Sequence, residues 1–211
     1  MPNYPEEHKN NAQYQQAKRQ GYRARSAFKL FDIQKRYNIF KRAFFILDLG
    51  SAPGSWLQVA KKFAVENLDK YHDQYYKRDR FKILGVDIKK VSPIDGVKIV
   101  RMDFTKEEFQ KEIHLYFQGE LLDLILSDAS IRKSGNKFSD QAKQFNLCYR
   151  ILEYTKFLKK NGNIVIKVFQ GADYDTFYQF MKKKFIVIKS LKPRSTKKKS
   201  NEIYIIGIKR R

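Results

Sequence analysis

The chain has 211 residues, 42% of them hydrophobic, enough for one folded unit with a sizeable core. Its formal net charge is +22, from 44 Lys and Arg against 22 Asp and Glu, and such an excess favours a polyanionic partner, nucleic acid being the usual one. No apolar run approaches the ~20 residues that span a bilayer, the single cysteine, Cys148, excludes an internal disulfide and fits a reducing intracellular setting, and three scattered histidines give no zinc pattern, so neither membrane nor metal is expected.

The start, Met1–Glu7, carries no signal-peptide core, and the stretch to about residue 24 reads as a basic extension. A basic helix is predicted around Arg25–Phe40, followed by a first strand at Phe44–Leu49 and a helix at Ser55–Val65. The polar, tyrosine-rich stretch Glu66–Arg80 reads as a charged loop insertion before a second strand at Lys82–Asp87. A third strand at Val97–Arg101, a helix at Thr105–Tyr116 and a fourth strand at Leu122–Ser127 follow. Next come a helix at Ser139–Leu158, a strand at Asn163–Val168 and a helix at Tyr174–Lys183. Strands at Phe185–Lys189 and Glu202–Ile208 close the chain, joined by the basic loop Lys192–Ser200. Strands alternating with helices predict an α/β, Rossmann-like fold: a seven-stranded, mostly parallel sheet with helices on both faces, in a single domain. Near-continuous apolar runs such as Leu122–Leu126 suit strands covered on both sides. The last two strands are close enough to pair as a hairpin, which would leave a mixed edge.

In such a sheet ligands bind beyond the carboxyl ends of the strands. The first strand ends in Asp48-Leu-Gly-Ser-Ala-Pro-Gly-Ser-Trp56, a glycine turn leading into a helix, with Gly50 and Gly54 allowing close backbone approach. The spacing is not the Gly-x-Gly-x-x-Gly of nicotinamide enzymes. Asp87 ends the second strand, where a carboxylate accepts ribose hydroxyls. It lies farther along than the ~20 residues usual for that role, and the 66–80 insertion accounts for the excess. Asp103 follows the third strand, placed for an adenine amino group, and Asp128 ends the fourth. Acids at successive strand ends point to a nucleoside-containing ligand. Lys167 stands out because it interrupts the apolar run Ile164–Phe169 of a central strand.

These segments, in order, resemble the FtsJ/RrmJ family of ribose 2′-O-methyltransferases. The resemblance runs from about Tyr22 to Lys209 and rests on five segments. They are Arg25-Ser-Ala-Phe-Lys-Leu30, Leu47–Trp56, Leu126-Ser-Asp128, Ile166-Lys-Val-Phe-Gln-Gly171 and Ser200-Asn-Glu-Ile-Tyr204. It implies S-adenosylmethionine as methyl donor, with S-adenosylhomocysteine as product, and donor contacts at Gly54, Trp56, Asp87, Asp103 and Asp128. It implies a catalytic set of Lys29, Asp128, Lys167 and Glu202. The stretch Gly85–Gly96 is more similar to the large-subunit rRNA branch, so the expected acceptor is the ribose of an rRNA uridine, the protein acting as a monomer. Transfer to tRNA or an mRNA cap, and a catalytically silent ribosome-assembly role, stay open. Where the family commonly reads Asp-Met-Ala-Pro-Asn, this chain has Asp128-Ala-Ser-Ile-Arg132, which alters the loop that positions substrate.

A hydroxyl is a poor nucleophile, so a base and close positioning both help. Lys167 is the candidate base, or alternatively the group that orients the hydroxyl and steadies alkoxide charge. Its ordinary pKa of ~10.4 must fall for the first role. Lys18–Arg25, Arg132, Lys133, Lys137 and Lys192–Lys199 are candidate phosphate contacts, and Tyr22 and Phe138 candidate base-stacking rings.

Overall fold

The structure, a computed structural model, describes residues 12–71, 79–132, 134–196 and 200–211. The N-terminal residues 1–11, the centre of the insertion at 72–78, Lys133 and the 197–199 lysines of the basic loop lie outside the described residues.

The helices are α1 (Ala12–Arg19), α2 (Ser26–Tyr37), α3 (Ser55–Tyr71), α4 (Glu108–Phe117), α5 (Lys137–Glu153) and α6 (Tyr174–Lys184). The strands are β1 (Phe45–Leu49), β2 (Lys82–Asp87), β3 (Lys98–Arg101), β4 (Leu122–Ser127), β5 (Leu158–Phe169), β6 (Phe185–Leu191) and β7 (Glu202–Arg210). They form one seven-stranded sheet in the order β3-β2-β1-β4-β5-β7-β6. Every neighbouring pair is parallel except those involving β7, which runs antiparallel to both β5 and β6. The expected mostly parallel, Rossmann-like sheet with a terminal hairpin is the one observed.

Alternation along the central strands feeds two cores. Leu47, Leu49 and Ile125 pack against Phe109, Phe145 and Phe177 of α4, α5 and α6, whereas Ile46, Leu124 and Val165 pack with Leu30 of α2 and Leu57 of α3. Asp123 breaks the apolar run of β4, yet it is buried for a local reason. Its Oδ2 accepts the N–H groups of Phe44 and Phe45 at 2.7 and 2.8 Å, tying the start of β1 to β4.

Several boundaries differ from the sequence reading, three of them with a visible local cause or consequence. α3 runs on to Tyr71 through residues read as loop, because Asn67 is buried and its Nδ2 donates to the carbonyls of Phe40 and Ala43. α2 stops at Tyr37, where Asn38 turns left-handed at φ 50° and returns its N–H to Gln34. The helix predicted to reach Leu158 ends at Glu153. A 3₁₀ turn at Tyr154–Phe157 then feeds β5, which begins at Leu158 and carries a register shift opposite Leu122 and Leu124.

Cys148 is buried between α5 and β5, its thiol 3.4 Å from the Lys167 carbonyl, and burial pushes its pKa up to about 12. The thiolate is the reactive form. The folded protein is therefore expected to resist alkylation by iodoacetamide at mildly alkaline pH and to react once unfolded. Native labelling at the rate of free cysteine would contradict this packing.

Candidate active site

The carboxyl ends of β1, β2 and β4 open into a cleft of about 420 Å³, within the usual range for small-ligand sites. Gly50, Asp87, Asp103 and Asp128 all line it, with Ile88, Phe104, Leu147 and Arg132. Parallel strands deliver this convergence without further instruction, since each loop after a strand emerges on the same edge.

The carboxylates are partly committed to the protein itself. Asp87 accepts Ala52 N–H at 2.9 Å through Oδ2 and Lys89 N–H at 2.8 Å through Oδ1, so it pins the glycine turn to the end of β2. Asp103 Oδ1 accepts the N–H and hydroxyl of Thr105 at 2.9 and 2.7 Å, while its Oδ2 has no hydrogen-bond partner among the described residues. Asp128 lines the cleft and is also held by Lys167 and Tyr204.

Gly50 and Gly54 adopt φ of +79° and +104°, but each makes room for protein rather than open space. A Cβ on Gly50 would lie 2.5 Å from that of Ala129, and one on Gly54 2.7 Å from Arg23 Nη1. Arg23 reaches Pro53 O, Ser92 O and Pro93 O at 3.3, 2.7 and 2.8 Å. Its guanidinium thereby ties the glycine turn to the loop at Ser92 and Pro93. Gly54 and Trp56 are not among the residues lining the cleft. Trp56 is buried, donates its indole N–H to Ser26 O at 2.8 Å, and packs 5.7 Å from the ring of Tyr204.

The four residues of the expected catalytic set come together as two ion pairs. Lys29 Nζ sits 3.1 Å from Glu202 Oε2, and Lys167 Nζ sits 3.2 Å from Asp128 Oδ1 and 2.5 Å from the Asp128 carbonyl. Both lysines are buried, at 8% and 6% exposure, so each ammonium is compensated rather than solvated. Tyr204 joins the pairs: its hydroxyl donates to Asp128 Oδ1 at 2.5 Å and its ring lies 5.6 Å beneath Lys29 Nζ. Burial, reinforced by the negative charge of Asp128, holds the phenol well above its ordinary pKa, so it stays a donor. The antiparallel course of β7 makes this geometry. It sets Tyr204 opposite Lys167 and Glu202 opposite Phe169, at the carboxyl end of β5. Sequence reading missed Tyr204, although Glu202 and Tyr204 stand two apart and share one face of the strand.

Behind the cleft, Gln144 of α5 is fully buried. Its amide donates to Ala129 O and Lys167 O, both at 3.2 Å, and accepts Ile131 N–H at 3.1 Å. The departure Ala129–Arg132 is thus pinned to the strand that bears Lys167. Of the expected basic contacts, Arg132 lines the cleft, whereas Lys192 Nζ reaches back to Ser200 O at 2.6 Å. Tyr22 packs edge-on against Phe28 and Phe31, while Phe138 is 85% exposed.

Asp48 is wholly buried in β1, and burial first, then the charges of Asp128 and Asp87, push it well above the usual carboxylate range. Neither of its oxygens, nor Ser51 Oγ in the turn that follows, has a hydrogen-bond partner among the described residues. A raised folded-state pKa means that folding retains a proton which the unfolded chain loses above ~4, so stability falls as pH rises past that value, by up to ~1.4 kcal/mol per pH unit. Asp48→Asn is accordingly expected to melt higher than wild type near neutral pH, with the gap closing towards pH ~4. A gap of equal size at both ends would refute the assignment.

A cleft with carboxylates at Asp87, Asp103 and Asp128, and apolar walls at Ile88, Phe104 and Leu147, fits S-adenosylmethionine. That donor combines a nucleoside with cationic sulfur and amino groups. Over 99% of its length the chain is 34% identical to the ribosomal RNA large subunit methyltransferase E of Chromobacterium violaceum, covering 96% of that protein. It is 37% identical over 93% of its length to the protein of the same name from Methanosarcina mazei, covering 68% of it. Among solved structures, one from Plasmodium falciparum, described as a ribosomal RNA methyltransferase, superposes with a TM-score of 0.73 at 26% identity, over 90% of this chain and 98% of that one. The profile of the FtsJ-like methyltransferase family matches residues 22–210. The chain belongs to that family, and its fold and cleft are those of an S-adenosylmethionine-dependent methyltransferase.

Proposed function

We propose that the protein methylates a ribose 2′-hydroxyl of RNA, with a uridine of large-subunit ribosomal RNA as acceptor, acting as an intracellular monomer. The observation that carries this reading is the two ion pairs of buried lysines with half-buried carboxylates, Lys29–Glu202 and Lys167–Asp128, joined through Tyr204 at the edge of the donor cleft. The net charge of +22 supports an RNA partner, and the names of the curated relatives favour ribosomal RNA.

The bound donor supplies an electrophilic methyl group on sulfur. Asp128 touches both halves of the site: it lines the donor cleft and holds Lys167 by side chain and carbonyl. Lys167 is thereby aimed at the mouth, where it meets the incoming hydroxyl: as the ammonium it orients the hydroxyl and steadies its developing charge, and only as the neutral amine, its own proton already released, does it take up the hydroxyl proton as the oxygen gains the methyl. Lys29, fixed by Glu202, adds a second cation that favours alkoxide character on the acceptor oxygen. Tyr204 fixes the carboxylate of Asp128 so that Lys167 has one resting position.

Purified protein, labelled S-adenosylmethionine and undermethylated large-subunit rRNA test this directly. Label is expected in the ribose of one rRNA nucleotide, and mapping identifies its base. Labelled tRNA or capped RNA with blank rRNA would replace the substrate assignment. Donor binding with no transfer to any RNA would leave the silent assembly role.

A further inference from the structure

Phe138 is the most exposed large apolar side chain among the described residues, at 85%. Its surroundings are ordered by specific bonds. Asn136 caps α5 by accepting Ser139 N–H at 3.1 Å, and the Asp140 carboxylate accepts the Ser134 N–H and hydroxyl at 2.8 and 2.7 Å. The ring is thus presented from a fixed helix start.

Its position on α5 decides what it overhangs. Phe138, Phe145 and Leu152 recur every seven residues and so share one helix face. Phe145 and Leu152 are buried on the sheet by that face, at 3% and 2% exposure. One turn after Phe138, the Gln141 amide packs directly on Gly171, just past the end of β5. One turn further, Gln144 bonds Ala129, Ile131 and Lys167. The apolar stripe therefore continues past the carboxyl edge of the sheet by one residue, with no sheet beneath it. Phe138 stands in the first turn of α5, at the carboxyl edge of the sheet where Lys167 and Asp128 also lie, with Lys137 before it in the chain and Arg132 in the cleft wall.

From this geometry, and resting on the RNA reading above, we propose that Phe138 is a stacking shelf for an unpaired base of the RNA, next to the ribose presented to Lys167. An exposed aromatic face with a lysine next to it in the chain suits a single-stranded nucleotide. A base stacks on the ring whatever its identity, and Lys137 and Arg132 meet the adjoining phosphates. A duplex offers no free base face there.

The test uses the full chain, with a fluorescently labelled single-stranded oligouridylate and the rRNA substrate as probes. Phe138→Ala is expected to weaken oligouridylate binding about tenfold, in line with the loss of one base–aromatic stack. S-adenosylmethionine affinity and the melting temperature should stay at wild-type values, because the ring covers nothing in the folded protein. Phe138→Trp should keep the affinity, and its indole emission should be quenched on binding. Transfer by Phe138→Ala should show a raised KM for RNA with kcat less affected. Oligouridylate affinity unchanged in Phe138→Ala, with wild-type protein still methylating RNA, overturns the shelf, leaves the RNA reading standing and makes the ring a contact for a protein partner. Failure of wild-type protein to bind or methylate any RNA overturns both.

Discussion

Lys167→Ala is expected to lower methyl transfer about a thousandfold, within the range lost when a positioned proton-transfer group is removed. The residue is buried, reaches Asp128 through both side chain and carbonyl, and stands opposite Tyr204 at the end of β5. Because the donor cleft is lined by other strands, S-adenosylmethionine affinity should change by no more than about threefold, so the loss falls on kcat. Lys167→Arg separates the two roles open to the lysine. Arginine keeps the charge and the donors but does not deprotonate. Partial activity in Lys167→Arg marks an orienting, charge-stabilising group, and none marks a base. Wild-type turnover in Lys167→Ala, measured by single-turnover transfer, would sink the catalytic assignment altogether.

Asp128→Ala is expected to be the most damaging single change to stability within the site. It strips the carboxylate from Lys167, which is 6% exposed, and leaves the Tyr204 hydroxyl without its acceptor inside the fold. Removing one partner of a buried pair costs about 3 kcal/mol, which in a protein of this size lowers Tm by roughly 6–12 °C. Transfer should disappear as well, because the same side chain lines the donor cleft. Asp128→Asn keeps an oxygen for Tyr204 and Lys167, so it should recover most of the Tm while leaving transfer impaired. Differential scanning calorimetry decides the first point. An Asp128→Ala melt within about one degree of wild type would show that solvent, rather than Asp128, compensates the lysine.

The donor half of the site was legible because its geometry is local to the strands. Asp87, Asp103 and Asp128 each end or follow a parallel strand, and parallel strands carry their carboxyl ends to one edge. Reading those positions along the chain was equivalent to reading a cluster in space. Lys167 announced itself by the burial cost of a charge within an apolar run. The polar stretch after Val65 misled because composition does not reveal a buried anchor. Asn67 draws α3 onward by reaching the carbonyls of Phe40 and Ala43, partners distant in the chain.

From residue order alone came the α/β sheet, the glycine turn, the succession of strand-end acids and, through the family resemblance, the identity of the lysines and Glu202. Tertiary structure decided how they meet. Only the insertion of β7 between β5 and β6, antiparallel to both, puts Glu202 and Tyr204 at the edge where Lys167 ends. It also gives the glycines their neighbours, Ala129 against Gly50 and Arg23 against Gly54, and seats Trp56 on Tyr204 rather than in the cleft. The physical reason is the same throughout. Periodicity and turn chemistry act within a few residues, whereas strand order, pair compensation and close backbone approach are set by partners far apart in the chain, which no local pattern encodes.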